Sequence, residues 1–185
     1  MNTDTGRVLL PIARAAIARE LGRDHSALEV APWLREPGAC FITLMRQGEL
    51  RGCIGTLRAH RPLVDDVKAN ARAAAFSDPR FKPLMADEFD RISIELSLLS
   101  KLQEVSFTNE LDALAQVSPA VHGLVFEYGH HRSTFLPQVW EQLPDPAEFM
   151  AELKRKAGLP PDFWDAGVKL MRYTVSKWRE ADFSD

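Results

Sequence analysis

Cysteine is scarce in this chain. Of 185 residues two are cysteine, Cys40 and Cys53, and two are tyrosine. Two cysteines make no disulfide framework, and a reducing cytoplasm is the expected setting. Charge of one sign is lacking too: 23 basic against 26 acidic residues leave a formal net charge of −3. That balance gives no global pull toward nucleic acid or anionic membrane, although a local basic cleft able to hold a nucleotide remains open. No run approaches the roughly eighteen apolar residues that span a bilayer. Met1-Asn2-Thr3-Asp4 has neither the basic nor the apolar region of a signal peptide. Repeats, low-complexity tracts, a glycine-rich phosphate loop, a Gly-x-Ser-x-Gly elbow and a Cys-x-x-x-Cys-x-x-Cys cluster motif are also missing.

What is present reads as mixed α and β, with 45% hydrophobic residues to supply a core. Leu9, Ile12, Ala16 and Ile17 have helical spacing between Thr5 and Leu21, and Pro11 is expected near the start of the regular part. Ala39 to Arg46 and Glu49 to Gly55 predict a hairpin about Gln47-Gly48. Pro62 opens a helix striped by Val64, Val67, Ala71, Ala74 and Ala75, which Ser77-Asp78-Pro79 ends. In Arg91 to Leu99, Ile92, Ile94, Leu96 and Leu98 alternate with polar residues, so one face is core. Gly123–Tyr128 and His131–Leu136 predict a second hairpin. Asp145-Pro146 starts a helix whose last turn, Lys154-Arg155-Lys156, complements the dipole before Gly158. A last strand is expected over Val168 to Trp178. Hairpins separated by helices favour antiparallel sheets in an α+β fold.

Leu50-Arg51-Gly52-Cys53-Ile54-Gly55 is the segment that marks a site. Glycine weakens an ordinary strand, so two of them predict a close approach to the backbone or a bend. A two-residue turn would place Arg51, Cys53 and Gly55 on one face with Leu44, Ile42 and Cys40, and Leu50, Gly52 and Ile54 on the other. Cys53 is a candidate nucleophile if a base or dipole activates it; its bland alternative is a small apolar residue packed on a strand. Arg51 is a candidate clamp for a carboxylate or phosphate, set among Arg46, Arg58, His60 and Arg61, which are otherwise ordinary solvated charge. Gly52 and Gly55 are a candidate backbone platform, or a bulge. Glu95, on the polar face of its strand, is a candidate general base, or a partner for arginine. Asp78 and Arg80 read as a helix stop paired internally. His130 and His131 are adjacent, are expected to point apart, and complete no zinc spacing, so no metal site is assigned.

The hexapeptide resembles the hallmark of the AMME-syndrome candidate-region (AMMECR) family, whose bacterial members are AmmeMemoRadiSam system protein A. Ser77-Asp78-Pro79-Arg80-Phe81, Ile94 to Leu99, Thr134 to Trp140 and Lys156-Ala157-Gly158-Leu159 follow in the family's order. The resemblance implies a single AMMECR-like domain over residues 1–185, made of two unequal lobes, each an antiparallel sheet with helices. The larger lobe would contain both termini, the smaller would be inserted between, and the hexapeptide would face the cleft between them. It also implies companions, a radical S-adenosylmethionine protein and a Memo-like protein, but no reaction and no cofactor. Two functions follow. Either the chain is an enzyme subunit that takes a small anionic or nucleobase-like substrate, with Cys53 as nucleophile or acceptor and Arg51 binding the anion, or it is a non-catalytic binding or scaffold module for those companions.

Overall fold

Helix α1, Thr3–Glu20, forms because Leu9, Ile12, Ala13, Ala16 and Ile17 fall on one face, and all of them are buried. The computed structural model describes residues 3–183, and it carries α1 through Pro11 rather than starting it there. Proline removes the hydrogen bond to the carbonyl four residues back, at Arg7. Both residues are exposed, so water takes that carbonyl while the apolar face stays packed.

The chain divides into two compact units. One is built from the chain up to Leu99 together with the chain from Ser176 onward; the other is Ser100–Val175. The first has a four-stranded sheet in the order β2-β1-β3-β8, made of β1 (Cys40–Arg46), β2 (Glu49–Gly55), β3 (Ile92–Leu99) and β8 (Val175–Arg179). β1 pairs antiparallel with both β2 and β3. Gln47 and Gly48 both take positive φ, 53° and 83°, as a two-residue type I′ hairpin requires. Helix α2, Leu63–Phe76, and α1 cover the face carrying Cys40, Ile42, Leu44, Ile94 and Leu96, all with no exposed surface. Each such aliphatic side chain contributes about 1.5–3 kcal/mol on burial. Trp178 on β8 packs against Gly6, where an added Cβ would lie 2.5 Å from the indole.

The second unit has its own sheet, ordered β4-β7-β5-β6, from β4 (Gln103–Glu104), β5 (Gly123–Tyr128), β6 (His131–Phe135) and β7 (Lys169–Tyr173), with every pair antiparallel. Helix α3 (Glu110–Ala115), which the sequence reading did not contain, is capped by Asn109 accepting from the Asp112 amide. Helix α4 (Pro146–Lys156) is capped by Asp145 accepting from the Glu148 amide. Phe149 of α4 stacks on Trp140 at 3.7 Å, inside a core with Leu124, Phe126 and Leu170.

Two expectations change here. The strand expected over Val168 to Trp178 is two strands, β7 and β8, which belong to different sheets. Thr174 breaks it by turning its backbone to Ser100: its carbonyl accepts from the Ser100 amide at 2.9 Å and its amide donates to Ser100 Oγ at 3.0 Å. Lys154 lies in the last turn of α4 as expected, and it is buried there, with Nζ donating to Glu110 at 2.8 Å and to the Phe163 carbonyl at 3.0 Å. His130 and His131 do not point apart. His130 is a turn residue outside the strand's alternation, and the two rings lie 4.2 Å apart, tilted by 33°.

Candidate functional site

β2 carries one residue more than β1 opposite the motif. Leu50 faces Met45, but Gly52 faces Leu44, Cys53 faces Thr43, Ile54 faces Ile42 and Gly55 faces Phe41. Arg51 is the unpaired residue of a β-bulge, which reverses the side-chain parity of everything after it. Cys53 and Gly55 therefore lie with Thr43 and Phe41, not with Leu44, Ile42 and Cys40 as the two-residue alternation predicts. Leu50 is on their face, and Gly52 and Ile54 turn to the helices.

Packing explains the shift. A Cβ on Gly52 would stand 2.1 Å from the Ala74 carbonyl oxygen of α2, and one on Gly55 would stand 2.2 Å from the Phe41 ring. What approaches these glycines is the protein itself. The alanine stripe of α2 lets its backbone lie on the strand, and the bulge brings the one residue without a side chain beneath it.

Glu88, a buried residue at the start of the turn leading into β3, holds Arg51. Arg51 Nε and Nη2 donate to Glu88 Oε1 and Oε2 at 3.0 and 2.9 Å. Arg46 Nη1 adds a bond to Oε1 at 2.7 Å, and the Met85 amide adds one to Oε2 at 2.9 Å. The two oxygens of the carboxylate thus receive four donors, its full capacity. The Arg51 hydrogen bonds hold the Glu88 carboxyl down at about 2, from an ordinary 4.5, against the opposing effect of burial; the Met85 amide and Arg46 act in the same direction as Arg51. A carboxyl depressed on folding stabilises the protein fully above its unfolded value, and that stabilisation is lost as pH falls through the folded one. Stability should therefore decline between pH 4.5 and about 2. Glu88→Gln is expected to lose about 2–3 kcal/mol at neutral pH and to show a shallower acid decline. Denaturant titrations of both proteins at neutral and acid pH check this; parallel declines would remove Glu88 from the acid response.

Arg51 Nη1 is buried and has no hydrogen-bond partner. The residue helps to wall a cavity of about 550 Å3 with Phe81, Lys82, Pro83, Met85 and Glu88. The Phe81 ring lies 6.0 Å from the Arg51 guanidinium and 5.6 Å from that of Arg80. A second cavity, about 280 Å3 against α1, is lined by two arginines: Arg14 donates to Glu180 and to the Phe89 and Ile92 carbonyls, and Arg7 lies 5.1 Å from the Phe183 ring centre.

Cys53 sits on the outer edge of the sheet, and both of its outward backbone groups are occupied. Its amide donates to Asp78 Oδ2 at 2.8 Å, and its carbonyl accepts from Arg80 Nη2 at 3.1 Å. Asp78 is buried, and its hydrogen bonds from Arg80 and from the Cys53 amide hold its carboxyl far below the ordinary range. The Asp78–Arg80 pair stands in for a neighbouring strand. The half-buried thiol accepts from Thr43 Oγ1 at 3.2 Å.

Glu95 lies opposite Thr43 on the far side of β1, two strands and roughly 10 Å from Cys53. Its carboxylate pairs with Lys177 and Arg179 of β8, so the structure does not bring it to the thiol. Cys40 is fully buried, and burial together with the adjacent Asp66 carboxylate pushes its thiol far up, leaving it inert.

Asp66 and Glu88 organise this region, and the sequence reading named neither. Asp66 is fully buried on α2 and accepts from the Cys40 amide (2.9 Å), Thr56 Oγ1 (2.8 Å), Arg61 Nε (2.8 Å) and Asn70 Nδ2 (3.0 Å). Asn70 also donates to the Cys40 carbonyl at 3.0 Å. A signal existed: Asp66 and Asn70 stand four apart inside the apolar stripe of α2, where a carboxylate and an amide need buried partners. Glu88 gave none. Among the described residues no three His, Cys, Asp or Glu side chains converge on a metal position, and no helix is long and apolar enough to cross a membrane.

A hairpin of this sequence under α2, with two sheets of this order, defines a recognisable class, and the comparisons agree. The AMMECR1 family model matches residues 10–178. A Saccharolobus islandicus protein is 39% identical, covering 97% of this chain and 83% of its own length. Protein MJ0810 of Methanocaldococcus jannaschii is 35% identical over 98% of this chain and 93% of that protein. The crystal structure of protein PH0010 from Pyrococcus horikoshii matches with a TM-score of 0.77 at 31% identity, over 97% of this chain and 93% of that one. The chain belongs to the AMMECR1 domain family.

Proposed function

We propose that this chain binds a small anionic ligand at the Leu50–Gly55 motif, with Arg51 as the anchor. The observation that carries the reading is Arg51 Nη1, buried without a hydrogen-bond partner on a residue that walls a cavity. A buried donor left unsatisfied costs about 1–3 kcal/mol, and an oxyanion would supply the acceptor. Local charge favours this, because Arg46 and Arg51 share the one carboxylate of Glu88, which leaves a surplus of one positive charge before the exposed Lys82 is counted. Gly52 and Gly55 serve the site by admitting α2 and Phe41.

A second reading makes the chain an enzyme subunit. It is favoured by the Thr43 hydroxyl aimed at Cys53 Sγ, a donor that would stabilise a thiolate acting as nucleophile or acceptor. On the motif resemblance we extend the proposal to a cytoplasmic setting beside a radical S-adenosylmethionine protein and a Memo-like protein, for which this chain binds or presents the substrate.

Titration with acetate and inorganic phosphate, followed by the backbone amide signals of residues 50–55 and 81–88, tests the anion site. Shifts are expected in the native protein. In Arg51→Lys, which keeps a cation for Glu88 but loses the guanidinium fork, binding should weaken at least tenfold. Unchanged shifts in that variant would discard Arg51 as the anchor. Rapid alkylation of Cys53 would favour the enzyme reading, and a thiol as slow as Cys40 would favour the binding module.

A further inference from the structure

We infer that the ligand of the Arg51 cavity is a monocarboxylic acid with a ring-sized apolar body and no ammonium group. The inference rests on the reading of Arg51 as the anion anchor and adds the chemistry of the remainder of the molecule.

Three features of the cavity define that chemistry. The first is the state of Arg51. Its Nε–Nη2 edge is spent on Glu88, so one edge of the fork, at Nη1, remains for one oxyanion. The surplus of one positive charge in the Arg46–Glu88–Arg51 cluster matches a monoanion, with Lys82 an exposed, flexible cation at the rim.

The second is that Glu88, the carboxylate lining the cavity, has four donors on its two oxygens. It has no lone pair to offer an incoming ammonium. An α-amino acid would bring a second charge into a site with two lining cations and no free acceptor on its carboxylate, so the cavity selects acids without an amine.

The third is the wall. Phe81, Pro83 and Met85 present apolar surface beside the arginine. Met85 is 64% exposed, although it is a large apolar side chain next to buried charge. An unbranched thioether adapts its shape to a partner, and exposed methionine is characteristic of surfaces that accept varied apolar groups. A cavity of about 550 Å3 lined by cations and by this apolar surface together suits a carboxylate on a flat or bulky hydrocarbon better than a bare inorganic anion.

Calorimetric titration of the full chain with 2-naphthoate, acetate, inorganic phosphate, 3-phenylpropanoate and phenylalanine tests the inference. Naphthoate should bind at least tenfold more tightly than acetate or phosphate, and 3-phenylpropanoate at least tenfold more tightly than phenylalanine. Met85→Ser, at a largely exposed position, should weaken naphthoate more than acetate and so shrink the naphthoate advantage. If acetate and phosphate bind as tightly as naphthoate and lose affinity in Arg51→Lys, the apolar-acid inference is overturned while the anion site stands. If phenylalanine binds as well as 3-phenylpropanoate, the exclusion of amines is wrong. If no anion binds, or naphthoate binds Arg51→Lys equally well, both the inference and the anchor fall.

Discussion

Gly52→Ala should cost this protein about 3 kcal/mol or more, a large fraction of the stability of a domain of this size. The methyl group would stand 2.1 Å from the Ala74 carbonyl oxygen and 3.1 Å from its carbon. Those are backbone atoms in the last turn of α2, so no side-chain rotation relieves the overlap. Either the helix lifts from the sheet or the bulge reforms with a different residue beneath it. Lifting α2 uncovers Ala71, Ala74 and Val67 at once. A shift of the bulge would instead turn Cys53 toward the core. Chemical denaturation separates the variant from the native chain, and the alkylation rate of Cys53 tells the two escapes apart. A loss below about 1 kcal/mol would show that α2 gives way cheaply and that the glycine is not needed for packing.

Asp66→Ala is expected to be comparably severe, about 3–5 kcal/mol. The carboxylate gathers donors from β1, from the loop after β2 and from its own helix. Its removal strands the Cys40 amide and leaves Arg61 without its acceptor. Asp66→Asn should fall between, because one carbonyl oxygen still serves Cys40 while the charge facing Arg61 is gone. Arg61→Ala should cost less than Asp66→Ala, since the Asp66 carboxylate keeps its donors from Cys40, Thr56 and Asn70 when its cation is lost. Thermal melts of the three variants check the order. An Asp66→Ala protein as stable as Arg61→Ala would mean that the network is ornament around a core that holds without it.

The sequence showed the strands of the first sheet well, because Ile92, Ile94, Leu96 and Leu98 alternate cleanly and a two-residue turn sets the hairpin ends. It offered a bulge at the glycines but could not place it at Arg51. Alternation assumes that each residue has one partner, and the extra residue at Arg51 is dictated by what α2 presses against β2, a contact between segments more than twenty positions apart. For the same reason Arg51 and Cys53 were legible as site residues while their faces were not. Glu88 was illegible altogether: a carboxylate among Asp87 and Asp90 looks like surface charge until the fold brings two arginines to it. The division of the last ribbon at Thr174 depends on Ser100, a partner that no local pattern around Thr174 announces. The α+β class came from the hairpins and helical stripes, whereas the two lobes came from the family's motifs.

Ser100 and Thr174 meet through two hydrogen bonds, so the second unit enters and leaves the chain at a single point. The consequence is temporal. A polypeptide emerging from the ribosome can finish the hairpins and helices of Ser100–Val175 while the first unit still lacks β8. Helix α1, made before the inserted segment, waits for Trp178, made after it, to close against Gly6. The inserted segment is free to fold early, and the segment that surrounds it must fold late.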